Sequence, residues 1–283
     1  MVGASFGRRL LSLRPALSTG GGGWVSSGAG RLIRVLRVAV FGALIDVRRA
    51  FTDRRLGTFS STLGLVALVA LVGTLFGTIL KRDLESYSTY IPWLGSGLIV
   101  WMFFVGTIGD TCGRAVLWGR VLRHAQVPLP AVPLAILFGK GVVLAQNMAL
   151  LGLGYLVLLQ EMPVRPLSLA LGFVVLAIDA YALALVGFLL CLRFRSLSHA
   201  ISWATQVGFL LTPLLWPEYF LGRFQYLNDL NPLYHLIMLM RAPLLGRETA
   251  PVTWMIGIAV ALIAVGAARL LLRWARRDLS YWL

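Results

Sequence analysis

Two ionisable side chains, Lys140 and Asp179, stand inside otherwise apolar runs. A charge at bilayer depth is costly, so such residues face a partner or an aqueous cavity and are functional candidates by default. Pairing of Lys140 with Asp179 is the simplest expectation; a proton relay would require more buried acids. Asp110, near the end of another apolar run, is expected at the interface. Other familiar chemistries lack their residues. The Gly139-Lys140-Gly141 stretch lies in an apolar run and cannot be a Walker A phosphate loop. His124, His199 and His235 are scattered without metal-ligand spacing, and no Gly-x-Ser-x-Gly elbow occurs. Cys112 and Cys191 each end an apolar run beside basic residues, and reduced thiols are expected rather than a bridge.

Aromatic residues form a second group: Tyr87, Tyr90, Trp93, Trp101, Phe103, Phe104, Trp216, Tyr219 and Phe220. Their chemistry suits an interfacial belt. A sugar conduit would also use aromatic faces, because pyranose C–H surfaces stack on them, and both alternatives stay open. Gly73-Thr74-Leu75-Phe76-Gly77 is a GxxxG that permits close helix approach without specifying a partner.

The elements that must carry these residues follow from composition. Hydrophobic residues make up 58% of the 283 positions and charged residues 13%, about half the charged share of a soluble domain. With a mean hydropathy of +0.82, a soluble enzyme, a disordered chain and a disulfide scaffold are all excluded. Six apolar runs reach or approach the roughly 20 residues that a crossing helix needs. They are 59–80, 90–112, 131–159, 167–192, 198–216 and 252–272, within a six-span domain over 59–283. Residues 1–30, with Gly20-Gly21-Gly22-Gly23, form an expected flexible cytoplasmic tail.

The net charge of +15 is informative through its distribution rather than its size. With the N terminus inside, the inner segments hold 19 basic residues and the outer segments six, balanced there by six acids. The positive-inside rule then puts both termini in the cytoplasm. Nucleic acid is not an expected partner.

Three segments are not simple spans. Residues 31–50, in a unit extending to 58, form an amphipathic helix. Arg31, Arg34, Arg37, Arg48 and Arg49 share one face, and Leu32, Ile33, Val35, Leu36, Val40, Ala43, Leu44 and Val47 occupy the other. Such a helix lies flat at the membrane surface. The stretch 113–130 is expected to form a short cytoplasmic helix ended by Pro128 and Pro130, with Arg120, Arg123 and His124 on one face. In 217–250, Asn231-Pro232 gives an N-cap with proline at the first helical position, and Gly246 gives the stop. That helix spans about 21 Å, too short to cross, so it is expected to dip into the membrane and return beside protein or a cavity.

The local sequences Asn231-Pro232-Leu233-Tyr234-His235-Leu236-Ile237 and Arg241-Ala242-Pro243-Leu244-Leu245-Gly246 resemble the segment between spans five and six of type-2 ABC transporter permeases. The branch resembled exports O antigens and related lipid-linked polysaccharides. The ending Arg276-Arg277-Asp278-Leu279-Ser280-Tyr281-Trp282-Leu283 is similar to that branch's usual terminus, and Gly97-Leu98 with Trp101, and Thr212-Pro213, are weaker matches. The resemblance covers about residues 31–283. Met238 stands where family members usually carry an acid.

The resemblance implies an all-α integral membrane fold: six transmembrane helices, an N-terminal amphipathic interface helix and re-entrant periplasmic helices between spans five and six. It implies a homodimeric conduit in the bacterial inner membrane for a polyprenyl-diphosphate-linked glycan of O-antigen type, within lipopolysaccharide biosynthesis. Two cytoplasmic ATPase subunits would drive it, so the chain would be no enzyme. It would hold no cofactor or metal, with ATP and Mg in the partner. Arg48, Arg49, Asp53, Arg114, Arg120 and Arg123 become candidate ATPase contacts, and Arg31, Arg34, Arg54 and Arg55 a candidate lipid-headgroup entrance. Trp93, Trp101, Phe104, Trp216, Tyr219 and Phe220 become candidate conduit aromatics, and Pro217, Asn231, Pro232 and Arg241 the candidate periplasmic gate.

Two other classes compete. A multipass enzyme acting on lipid-linked sugars would normally show clustered acids or histidines at a membrane surface. The outer acids Asp83, Glu85, Glu161, Glu218, Asp229 and Glu248 are dispersed, with no pair beyond Asp83 and Glu85. A permease of the same fold could instead carry teichoic acid, a drug or a small lipid.

Overall fold

The computed structural model describes residues 28–53, 59–79, 87–124, 127–158, 164–215 and 226–282. Its elements are α1 (Gly28–Asp53), α2 (Phe59–Ile79), α3 (Tyr87–His124), α4 (Ala131–Leu158), α5 (Pro166–Arg193), α6 (Leu197–Leu211), α7 (Tyr226–Asp229), α8 (Pro232–Leu244) and α9 (Pro251–Trp282). Among the described residues there is no strand. Four helices among the described residues are long and apolar enough to cross a membrane: α3, α4, α5 and α9. The chain is therefore an all-helical membrane protein. The described apolar stretch of α2, Ser60–Leu75, and the 15-residue α6 are shorter. The expected tail lies outside the described residues except for 28–30, which begin α1.

Helices α3 and α5 form the centre. Tyr90, Leu94, Leu98 and Phe104 of α3 pack with Leu176 and Ala180 of α5 and with Leu236, Ile237 and Leu239 of α8. A second cluster joins Cys112 and Ala115 of α3 to Phe188, Leu189 and Cys191 of α5, with Ile136 of α4 and Ala268 and Ala275 of α9. In contrast, α9 exposes Met255, Leu262, Ile263 and Leu270, the apolar surface that a lipid-facing helix presents. A polar tie joins α2 to α4. Thr62 Oγ1 donates to Asn147 Oδ1 at 2.7 Å and accepts from Gln146 Nε2 at 2.6 Å.

The amphipathic helix is longer than its sequence pattern. It buries Ala39 and Ala43 and packs against α4, where Gly42 faces Ala135; a Cβ on Gly42 would lie 3.1 Å from the Ala135 Cβ. Small residues set this close approach. Leu32, Ile33, Leu36, Val40, Phe41 and Leu44 remain exposed.

Two expectations need correction. The stretch 113–130 does not hold a separate helix: α3 runs without interruption to His124, 38 residues or about 57 Å. The arginines that mark the end of the hydrocarbon layer do not break a helix, since arginine is among the better helix formers. Pro128 and Pro130 act only after the described helix has ended, and Ala131 N–H then bonds to Pro128 O at 2.9 Å. The second correction is Lys140, whose Nζ lies 2.9 Å from Asp110 Oδ2 rather than pairing with Asp179.

Candidate functional site

The geometry that stands out is where α6 ends. Pro213 has no N–H to continue the helix, and the residue before a proline is driven out of the helical region. Thr212 obeys this, at φ −96° and ψ 135°. The carbonyls released from the helix must find donors elsewhere in a buried setting. Thr212 and Leu214 are buried, and their surroundings supply those donors from other elements.

Asn231 works in both directions. Its Oδ1 accepts from Leu233 N–H at 3.0 Å, capping α8, with Pro232 at the first helical position. Its Nδ2 donates to Leu211 O and to Thr212 Oγ1, each at 3.4 Å. Arg241, two and a half turns along α8, donates from its two terminal nitrogens to Pro213 O at 2.8 Å and Leu214 O at 3.2 Å. Tyr90 Oη, from the start of α3, donates to Leu215 O at 2.6 Å. Five consecutive residues, 211–215, are thus held by three side chains from α8, its N-cap and α3.

The Arg241 guanidinium is fully buried and stacks 3.9 Å from the centroid of the Trp93 ring. Gly97, one turn after Trp93 on α3, makes the space: a Cβ there would overlap the guanidinium. The far end of α8 is closed by a Schellman motif. Gly246 takes φ 72°, its N–H bonds to Pro243 O, and Arg247 N–H bonds to Ala242 O. Pro243 cannot bond back to Leu239 O, and that carbonyl instead lies against Gly172 of α5, where a Cβ would overlap it. His235 bridges the short helix to its neighbours, with Nδ1 3.1 Å from Thr253 Oγ1 and Nε2 3.0 Å from Asp229 O. Arg165 bonds Gly246 O through Nε at 3.0 Å and pairs with Glu248 at 2.8 Å. The short helix is therefore fastened at both ends.

Beside this latch, Trp101, Val105, Thr205, Gln206, Phe209 and Leu210 line a groove of about 400 Å³ between α3 and α6. Trp101 and Phe209 meet edge to face at 5.7 Å. Of the aromatic candidates, Trp101 lines the groove, Trp93 lies under Arg241, and Phe104 is buried in the core. Trp216, Tyr219, Phe220 and the gate residue Pro217 lie outside the described residues.

Of the basic candidates, the side chains of Arg34, Arg48 and Arg114 are described. Arg34 and Arg48 are exposed on α1, while Arg114 of α3 pairs with Asp46 of α1 at 2.8 Å. Asp110 and Arg114 are one turn apart on α3, so Asp46–Arg114 and Asp110–Lys140 make a two-rung ladder joining α1, α3 and α4. Arg54 and Arg55 lie outside the described residues, and the side chains of Arg31, Arg49, Asp53, Arg120 and Arg123 are likewise not described. Asp179 is fully buried on α5, and among the described residues neither carboxyl oxygen has a hydrogen-bond partner.

The sequence placed the Asn231-Pro232 cap and the Gly246 stop and singled out Arg241, Tyr90 and Gly97, but not the contacts that join the last three to other helices, nor the ladder. The Gly95-Ser96-Gly97 run inside a long apolar segment was the available signal, because small residues at bilayer depth mark close approach. Among the described residues no group of three or more His, Cys, Asp or Glu gathers as metal ligands. Compared with known families and with curated proteins, the chain matches no family profile and no curated protein.

Proposed function

We propose that this chain is the membrane-spanning subunit of an ABC exporter for a polyprenyl-diphosphate-linked polysaccharide of O-antigen type. Two copies form the conduit in a bacterial inner membrane, and two separate cytoplasmic ATPase subunits supply the energy. The observation that carries the reading is the short helix α8, buried among membrane-length helices and latched to the broken end of α6. A non-crossing helix with satisfied ends is what a re-entrant gate requires.

The same observation bears on the six-span topology. Helix α6 contributes about 22 Å, and the four residues after it add at most roughly 13 Å of chain. Together they approach the ~30 Å hydrocarbon thickness, with the carbonyls freed from helical bonding supplied by Asn231, Arg241 and Tyr90. Helix α2, with 21 residues, reaches about 31 Å. Counted with α3, α4, α5 and α9, these make six spans, with both termini cytoplasmic by the arginine distribution.

In this reading the Trp101–Phe209 groove belongs to the glycan path, since both rings offer faces or edges for sugar C–H surfaces. The arginines of α1 face the cytoplasm, where an anionic diphosphate headgroup is collected by charge-assisted hydrogen bonds. Movement of the ATPases reaches the spans through α1 and the extended end of α3.

The decisive experiment is purification of the tagged chain from its native membranes in mild detergent. A stoichiometric partner with ATP hydrolysis is the expected result. Repeated isolation without an ATPase, under conditions that preserve other membrane complexes, would overturn the reading and favour a membrane enzyme.

A further inference from the structure

The only two cysteines of the sequence meet where α3 crosses α5. Cys112 and Cys191 are both free and buried, and both belong to one packed cluster. Gly187 fixes the approach. It lies one turn before Cys191 on the same face of α5, and a Cβ at that position would come within 2.6 Å of Cys112 Sγ. The Cys112 sulfur therefore nests in the gap left by the glycine, one helical turn from Cys191. The enclosure is apolar, formed by Ala115, Ile136, Phe188, Leu189 and Leu192. Arg114 lies two residues away, but its guanidinium is taken by Asp46.

We propose that Cys112 and Cys191 form a two-electron oxidation site at which hydrogen peroxide, small and uncharged, converts the thiol pair into a disulfide, reversibly stapling α3 to α5. One sulfur attacks a peroxide oxygen, the O–O bond breaks, and the thiol proton leaves with the departing oxygen as water. The resulting sulfenic acid is then attacked by the second thiol, forming the S–S bond and releasing a second water. Two thiols are oxidised and one peroxide is reduced, so atoms and electrons balance. The arrangement favours this end point over further oxidation because the resolving thiol lies one turn from the glycine that seats the reacting sulfur, within the same closed cluster. The apolar wall bars charged oxidants, which would have to shed their hydration to enter, and bulky thiols do not fit, so only small neutral reagents reach the pair. The proposal is independent of the transported substrate and of any ATPase.

The test uses the full chain purified under reducing conditions in mild detergent and exposed to hydrogen peroxide. Intact mass and alkylation after denaturation are then measured. The expected product is a monomer lighter by two hydrogens, in which both thiols become unreactive together and recover with dithiothreitol. Gly187→Ala, which displaces the Cys112 sulfur while retaining both cysteines, should lower the cross-linked fraction several-fold. The wild-type result stands without that variant should it fail to fold. Unreacted thiols, oxygen addition at one cysteine alone, or disulfides joining two chains would each overturn the proposal. None of these outcomes bears on whether an ATPase copurifies.

Discussion

Replacing Arg241 with Met removes the donors of the α6 latch while keeping an unbranched apolar stem under the same backbone. Two buried carbonyls, Pro213 O and Leu214 O, lose bonds of 2.8 and 3.2 Å from a charged donor. Hydrogen bonds to charged groups contribute about 1.5–3 kcal/mol each, which brackets the loss at roughly 3–6 kcal/mol. Stacking of a desolvated guanidinium on tryptophan adds about 2 kcal/mol. Interhelical bonds in membrane bundles average nearer ~0.6 kcal/mol, because the unfolded chain in a membrane also finds partners. A net loss of about 3 kcal/mol lies between these limits, equivalent to roughly a hundredfold rise in the released state.

Hydrogen exchange in mild detergent reads this directly. The amides of Leu211, Thr212, Leu214 and Leu215, and those of Leu233 to His235 in the first turn of α8, should exchange about a hundredfold faster in Arg241→Met. The buried stretch of α5 from Ala184 to Leu192, which does not touch the latch, should keep its protection. Gly97→Ala should reproduce the effect from another helix, since its Cβ would occupy the space of the guanidinium. In the Arg241→Met background the same alanine should add little, because the overlapping group is gone. Unchanged exchange at 211–215 in both single variants, or full additivity of the two, would refute the latch.

Other sites give sharper but smaller expectations. Gly246→Ala places a Cβ on a residue at φ 72° and should cost about 1 kcal/mol, read as a lower Tm of the detergent-solubilised chain; no change would remove the Schellman stop from the account. A double-mutant cycle on Asp46→Asn and Arg114→Gln should give a coupling no larger than about 1 kcal/mol that shrinks with salt. Both partners are partly exposed, at 43% and 33%, so a large salt-independent coupling would contradict the geometry. Asp179→Asn should leave the Tm unchanged or raise it, since among the described residues the buried carboxyl has no hydrogen-bond partner to lose. A fall equivalent to more than ~2 kcal/mol would mean that Asp179 holds a bond absent from this structure.

The sequence carried the parts of the fold that depend on composition over a window. The runs 131–159 and 167–192 lie within a residue or two of α4 and α5, because an uninterrupted apolar stretch in a membrane has only the helix available to it. Asn231-Pro232 and Gly246 bounded α8 for a different reason: capping is local chemistry, set by one side-chain acceptor, one fixed φ and one residue that tolerates positive φ. Three-dimensional pairing was not legible. Lys140 and Asp179 were matched as the two charges within apolar runs, whereas Asp110, assigned to the interface, lies across from Lys140 on the neighbouring helix. The end of α3 was misjudged because Arg114, Arg120 and Arg123 report where the hydrocarbon stops, not where the helix does. Tyr90 and Gly97 act through atoms of other segments, and nothing in their own neighbourhoods specifies Leu215 O or Arg241.

The two polar nodes lie at different heights on α3, about 36 Å apart from Tyr90 to Arg114, and they differ in what opening them costs. At the first, Arg241 spends its charge on backbone carbonyls in a site closed to solvent, so release exposes unsatisfied groups in a low dielectric. At the second, the four charges of the ladder are partly exposed, and water replaces either ion pair at little cost. A helix carrying a stiff node and a compliant one gives way at the compliant end while the stiff end holds its contacts. Rearrangement of α1 against α3 and α4 is therefore expected at ambient temperature without disturbing residues 211–215. Exchange-resolved spin labels on α1 and α6 check this: salt should alter distances from α1 and leave those from α6 fixed. Parallel salt sensitivity of both would mean that the two nodes are one.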